Sequence, residues 1–382
     1  MEVMTSRERI KAAAGHRPPD RLPVGESFWD DTPAAWRAQG LPAGVDLADH
    51  FGYDLCHMFL DASPRFEQKL LRREGDYILY EDRFGYTVRK LENRSCTMDF
   101  QAHKTADRAA WEQARKRFVL SDDPAEPARI DSASYFAHFD PYPTWEGAAR
   151  RYARARASGR YLLFLSYGPW EATWRHRGYL NQLTDVLTDP DWVREMADVS
   201  QDLVIAILRR CLKLGMRPDG YYLIEDLGCN RGPLISPQTW RRVFRPSVER
   251  LGAFLRANDI DFWMHCCGNI EPLFDDLIEC GLQVMNPLQW SAGLDVRVLR
   301  PKYGRRLAFY GNVPVPKMMG PLEELEREVR SRAVLARDGG YILHSDHSIP
   351  PNVTLERYRW MLATARDAFE RGDGGPTERA PK

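Results

Sequence analysis

No stretch of this chain is both long and apolar. The longest apolar runs, such as Tyr161 to Tyr167, fall far short of a bilayer span, so membrane-crossing helices are not expected. The opening Met1-Glu-Val-Met-Thr-Ser-Arg-Glu-Arg also lacks the apolar region of a signal peptide. An excess charge of either sign is missing as well. Lysine plus arginine and aspartate plus glutamate each number 54, so nothing favours nucleic acid or an anionic membrane surface as partner. Cysteines are few, seven with one adjacent pair, which argues for reduced thiols rather than a disulfide framework. Together these absences lead to the expectation of a soluble, cytoplasmic protein. There is no G-x-G-x-x-G, no G-x-x-x-x-G-K-[ST] and no G-x-S-x-G, and Rossmann, P-loop and serine-hydrolase readings lose their main support.

What is present has the rhythm of a parallel α/β fold. A chain of 382 residues suits two domains or one large α/β barrel with insertions. Thr5 or Ser6 can cap a first helix that Gly15 stops, and Pro18-Pro19 forces an extended exit into Arg21-Leu-Pro-Val-Gly-Glu26. Strand-like runs begin at Leu22, Tyr53, Tyr161, Gly220, Asp259, Leu282, Arg305 and Gly340, with helical segments between most of them. Eight such runs predict a TIM (β/α)8 barrel rather than an open sheet. Leu41 to His50 and Trp145 to Ala157 read as helices, and Ser236-Pro237 opens another that runs to about Ala257 with a kink at Pro246. Between Arg65 and Lys90, short alternating runs separated by Gly-containing turns predict an antiparallel meander, an excursion from the barrel near its N-terminus. The polar stretch Asp107 to Pro143 carries no clear element, and residues 371–382 read as a disordered tail. The expectation is one domain over residues 1–382.

Barrels place their chemistry at the C-terminal ends of the strands, so the residues closing each run are the candidates. They are Glu26, Tyr167, Glu225 with Asp226, His265 with Cys267, Asn286 with Gln289, Tyr310 with Asn312, and His344 through His347. Within Asp261-Phe-Trp-Met-His-Cys-Cys-Gly-Asn269, strand alternation puts His265 and Cys267 on one face and Cys266 on the other. An imidazole and a thiolate converging at a strand end suit zinc; two buried cysteines beside a hydrogen-bonded histidine fit the same residues. The last run brings His344 and His347 to the same rim, and three ligands with an open position is the arrangement of catalytic zinc.

Thr5-Ser-Arg-Glu-Arg-Ile, Asp20-Arg-Leu-Pro-Val, Tyr80-Glu-Asp-Arg-Phe-Gly85, Glu225-Asp-Leu-Gly, His265-Cys-Cys-Gly and Asp346-His-Ser-Ile-Pro-Pro resemble the uroporphyrinogen decarboxylase superfamily, most closely its corrinoid-linked methyltransferase branch. The similarity runs from Thr5 to about Phe369. Members of that branch are TIM barrels holding zinc on a His-x-Cys pair and a later cysteine. The resemblance therefore implies Zn2+ on His265, Cys267 and, where the later cysteine would stand, His347. It implies a methyl group moving between a small donor of methoxy-arene, methylamine or methyl-thiol type and a thiol or corrinoid protein, with methylcobalamin as protein-bound co-substrate.

Glu225 is then expected as a displaceable fourth ligand, with Asp226 and Asp346 orienting histidine. Glu26, Phe28, Tyr167, Trp170, Trp263, Asn286, Tyr310 and His344 are expected to line the substrate pocket. The decarboxylase itself grips carboxylates with an arginine-rich segment after the first strand, whereas Val24-Gly-Glu-Ser-Phe-Trp-Asp-Asp31 offers acids, which argues against porphyrinogens. Two other readings remain open at this level: a metal-free lyase acting on another small carboxylate, and a non-catalytic barrel that binds a tetrapyrrole or corrinoid protein.

Overall fold

Runs such as Tyr161-Leu-Leu-Phe-Leu-Ser-Tyr167, buried at every position, are what a parallel sheet covered on both faces requires. The computed structural model describes residues 3–123, 125–131 and 141–375. Its strands, in chain order, are β1 (Leu55–Leu60), β2 (Lys69–Glu74), β3 (Tyr77–Glu81), β4 (Tyr86–Leu91), β5 (Asp99–His103), β6 (Ile130–Asp131) and β7 (Tyr161–Tyr167). They continue with β8 (Gly220–Ile224), β9 (Gly228–Cys229), β10 (Gly232–Pro233), β11 (Asp261–His265), β12 (Val284–Asn286), β13 (Ala308–Val313) and β14 (Tyr341–Ser345). β1, β7, β8, β11, β12, β13 and β14 lie side by side in that order and are parallel, with β6 antiparallel on β1.

The run expected as a first strand at Leu22 forms only one bridge, Val24 to Leu343. Pro23 cannot donate to a ladder, which shortens the pairing. The segment nevertheless bonds on both sides: Leu343 N donates to Pro23 O at 2.9 Å and Gly25 N to Leu343 O at 3.1 Å, while Asp54 N donates to Val24 O at 2.8 Å. Pro23 to Gly25 thus sits between β14 and the start of β1. Asp54 anchors it. The buried carboxylate accepts from Val24 N at 3.0 Å, Arg9 Nη1 at 2.7 Å, Ser6 Oγ at 2.7 Å and Arg21 Nη2 at 2.7 Å.

Alternate residues of the strands face two cores. Met58, Leu162, Phe164, Leu223, Phe262, Met264, Phe309 and Leu343 pack outward with the helices. Leu55, Leu163, Trp263, Val284, Ala308 and Ile342 gather on the inner side, together with Ile10 and Ala13 of helix α1 (Ser6–Ala14). This helix starts on a capping box: Thr5 accepts from Glu8 N, and Glu8 accepts from Thr5 N at 2.8 Å. Its apolar side lies beneath the N-terminal end of the sheet.

The meander has four strands, β2 to β5, not the three expected between Arg65 and Lys90. Ile78, Tyr80, Tyr86 and Val88 on its inner face pack against Phe59, Leu165, Tyr167 and Ile224, so it covers the C-terminal ends of β1, β7 and β8. Elsewhere, Pro42 and Gly44 delay the helix expected at Leu41, which spans Leu47–Phe51. Ser236 caps as expected, accepting from Thr239 N, but the chain forms two helices, Pro237–Val243 and Arg245–Ala257, because Pro246 withholds the N–H that would continue the first. In the polar stretch a helix forms at Arg108–Ala114; residues 124 and 132–140 lie outside the described residues. Of the expected tail, Arg371 closes the last helix and residues 376–382 lie outside the described residues. No helix among the described residues is long and apolar enough to cross a membrane.

Candidate metal centre and its pocket

Leu55, Trp263, Val284, Ala308 and Ile342 form an apolar floor, and a strand repeats its facing every second residue. Two residues further along each strand stand His57, His265, Asn286, Tyr310 and His344. A polar layer therefore lies directly above the floor, with Tyr222 joining it two residues past Gly220.

His265 is fixed from behind. Its Nδ1 lies 2.7 Å from Asn286 Oδ1, and Asn286 Nδ2 donates to Tyr310 O at 2.8 Å, which orients the amide with its oxygen toward the ring. Tyr222 donates to the same Asn286 oxygen. The ring proton is thereby assigned to Nδ1, and the Nε2 lone pair faces forward. In front, His265 Nε2 is 3.5 Å from Cys267 Sγ and 3.6 Å from Asp226 Oδ1. Cys267 N donates to Asp226 Oδ1 at 2.9 Å. One donor atom from each of Asp226, His265 and Cys267 lies within 4.8 Å of the other two.

Tetrahedral zinc with bonds of about 2.0–2.3 Å has its ligand atoms about 3.3–3.8 Å apart, so this N, O, S set fits zinc. Burial, and next the Asp226 carboxylate, push the Cys267 thiol well above its ordinary range, so a cation is what would bring out its thiolate. The Asp226 side chain is 46% exposed, leaving the cluster open on one side.

Gly268 makes the convergence geometrically feasible. It sits at φ +76°, and a Cβ there would stand 2.3 Å from the Gly228 carbonyl carbon. The backbones after Asp226 and after Cys267 touch at this glycine pair. Cys266, on the opposite face, is buried and accepts from Leu227 N at 3.2 Å, as the alternation predicts.

Several expected site residues are placed otherwise. Glu225 points away from its neighbour Asp226; its carboxylate accepts from Trp170 N at 3.0 Å and Glu171 N at 2.9 Å, capping the helix Pro169–Arg177. Burial raises its pKa well above the usual range, and its oxygens are taken up by the cap instead of serving as a displaceable ligand. Asp346 accepts from Val315 N at 2.8 Å and Trp290 N at 3.1 Å, so it ties two loops together. His347 stacks on Trp29, ring centroids 5.7 Å apart, and its nitrogens do not join the donor cluster. Burial, then the nearby His265, lower its pKa.

Phe28 packs edge-on against Trp36 and Tyr358, and Trp170 against Phe244, both in the helix-side core and not on the pocket wall. Trp263 is floor, and Tyr167 lies under the meander with the Arg175 guanidinium 3.8 Å above its ring. Tyr310 and His344 meet at 4.4 Å between centroids.

Glu26 completes the polar layer. Its side chain, 2% exposed, accepts from Ser345 Oγ at 2.6 Å and lies 3.3 Å from His344 Nε2. Burial pushes the carboxyl up to about 8 and the His344 imidazole down to about 3, so near neutral pH both are uncharged. An unfolded glutamate ionises near 4.5. The native state therefore holds the extra proton, and Glu26's contribution is fully present below about 4.5 and lost as pH rises through about 8. Glu26→Gln is expected to flatten the fall in stability between pH 5 and 8, read by urea unfolding; an unchanged slope would refute the assignment.

His57 stands in this layer as well, two residues past Leu55 in an apolar run, and was not among the expected site residues. Asp226 and Asn286 were named, but as an orienting and a substrate group respectively.

Residues 143–368 match the family model for uroporphyrinogen decarboxylase (URO-D), and the chain belongs to this family. Its relatives there include the methylcobamide:CoM methyltransferase MtaA of Methanosarcina barkeri, 24% identical over 182 residues, and that of strain Fusaro, 21% over 184 residues. The match spans 47% of this chain and about half the length of those curated relatives. A solved methyltransferase from Methanosarcina mazei shares the fold over 96% of this chain and 99% of its own, with a TM-score of 0.59 at 15% identity.

Proposed function

We propose that this protein is a zinc-dependent methyltransferase that moves a methyl group between a small methylated compound and a corrinoid protein or thiol. The observation that carries the reading is the Asp226, His265, Cys267 donor set at the C-terminal end of a parallel sheet. The methylcobamide-linked activity in the relatives' names supports it. We also infer that Pro23 to Gly25 closes the seven parallel strands into a (β/α)8 barrel around the polar layer.

Asp226, His265 and Cys267 would hold the zinc, which supplies a Lewis acid able to lower a thiol's pKa or polarise a methylated heteroatom. Asn286 keeps the His265 lone pair aimed at the site, and the Cys267 backbone N–H holds Asp226 in place. Two anionic donors offset the charge of the dication, whereas the set with His347 would leave one positive charge uncompensated. The meander shields the strand ends of β1, β7 and β8 from water.

Chain purified without chelator is expected to carry about one zinc and to change the absorbance of methylcobalamin in the presence of a small thiol, or of cob(I)alamin in the presence of a methylated donor. Full turnover of a small carboxylate by zinc-free protein, with no cobalamin response, would replace this reading with the lyase.

A further inference from the structure

The Tyr80-Glu-Asp-Arg-Phe-Gly85 turn joins β3 to β4, and Phe84 within it packs edge-on against Tyr167 at the end of β7. The Arg83 side chain is 8% exposed, yet it donates no hydrogen bond to any described residue; its Nε and Nη2 are buried without a partner. The nearby carboxylates are taken up elsewhere. Asp61 lies 3.7 Å from Arg83 Nε, but its oxygens accept from Ser63 Oγ at 2.5 Å and Arg65 Nε at 2.8 Å. Asp82 accepts from Phe84 N at 2.7 Å. A second guanidinium stands close by. Arg175, in the helix Pro169–Arg177, donates from Nη2 to Glu171 at 2.8 Å, while its Nε is buried with no partner among the described residues.

Each guanidinium rests on an aromatic ring of the inner face. The Arg83 guanidinium carbon is 5.3 Å from the centre of the Phe59 ring and that of Arg175 is 3.8 Å from the centre of Tyr167, and the two rings meet edge-on at 5.8 Å. Both cations act on the Tyr167 hydroxyl and on Asp82, which brings them to one spot. A guanidinium stacked on a ring keeps its N–H edge for an acceptor in its own plane. Buried donors are seldom left unmet, and charged ones least of all. The spot also adjoins the metal centre: Ile224 pairs with Tyr167, and Asp226 follows two residues later on the neighbouring strand end.

We infer that Arg83 and Arg175 form a binding site for the carboxylate of a small organic acid, beneath the meander at the ends of β1 and β7. The two coplanar oxygens of a carboxylate match the fork of a guanidinium. Phe59 and Tyr167 offer apolar faces to the carbon skeleton. A phosphate dianion suits the spot less, because Asp61, Asp82 and Glu171 already stand around the two cations. The inference holds for an acid in whichever reaction it enters and does not rest on the methyltransferase reading.

The test is calorimetric titration of the full chain with benzoate, with benzamide, its uncharged isostere, and with inorganic phosphate. Wild type is expected to bind benzoate about tenfold more tightly than benzamide, the worth of a charge-assisted hydrogen bond. Arg83→Met should remove the preference, and Arg83→Lys, which keeps the charge but not the fork, should keep part of it. Stripping metal with a chelator should leave the preference in place. Wild type without the preference, phosphate bound in place of benzoate, or a preference that survives Arg83→Met overturns the inference. A preference that disappears with the metal also overturns it, since the carboxylate would then be a metal ligand.

Should Arg83→Met fail to fold, wild-type protein decides. In crystals grown with 4-iodobenzoate the anomalous iodine signal should lie beneath the meander, with the carboxylate on Arg83 and Arg175; a signal elsewhere, or none, overturns the inference. The two proposals fail separately. Stoichiometric zinc without the benzoate preference refutes this one alone, and the preference in a chain that takes up no zinc refutes the metal reading alone.

Discussion

Asp226→Ala is expected to purify with little zinc, while His347→Ala keeps about one per chain. The donor geometry sets this order: Asp226 Oδ1 lies 3.6 Å from His265 Nε2 and takes the Cys267 backbone N–H, whereas His347 is occupied in a stack on Trp29. Outer partners of a zinc ligand already change affinity by about 10–100-fold, so loss of a direct donor should exceed the upper figure. Chelator competition measures it, and methyl exchange should fall in step. The opposite pattern, zinc kept by Asp226→Ala and lost by His347→Ala, would restore the ligand set that the family resemblance implied. Charge makes the outcome chemically consequential. With Asp226 and Cys267 as anionic donors the zinc site is neutral and a bound thiolate would make it anionic, which favours release of the sulfur as a nucleophile.

The largest stability effect should come from Asp54→Ala. Its carboxylate is fully buried and binds Arg9, whose side chain is only 4% exposed, together with Arg21, Ser6 and Val24 N. Removing it leaves the Arg9 guanidinium with Asp20 and the Met4 carbonyl and frees the segment between β14 and β1. Breaking one side of a buried pair costs about 3–5 kcal/mol. Urea unfolding should show a loss of that size, with hydrogen exchange rising first at Val24 and Leu343. A loss below about 1 kcal/mol would mean that Asp20 compensates and that the joining segment is held by its neighbours.

The parallel strands were legible because each carries apolar residues on both faces, a pattern that survives any packing detail. The run at Leu22 takes its expected place beside β14 and β1 but pairs through a single bridge, because Pro23 inside it limits the ladder. β5, Asp99-Phe-Gln-Ala-His103, has no alternation to read and is half-exposed at the meander's edge. At the site, the pairing of His265 with Cys267 and the exclusion of Cys266 followed from period two alone. The third donor did not, since Asp226 arrives through a contact between Gly228 and Gly268, forty residues apart in sequence. Phe28 and Trp170 were expected on the pocket wall from their aromatic character, but which core a ring enters depends on the face its backbone presents. The same limit separated Glu225 from Asp226.

Ile10 and Ala13 of α1 are part of the floor, so the helix stoppers the sheet's N-terminal end and the polar layer is reached from the strand C-termini. If the larger partner of the proposed methyl transfer docks at those strand ends, a small reactant in the polar layer would share its way out with that partner, which imposes an order of arrival and departure. Turnover under such a rule is sequential at the doorway, and an excess of the small compound slows it by occupying the pocket when the larger partner should be docking.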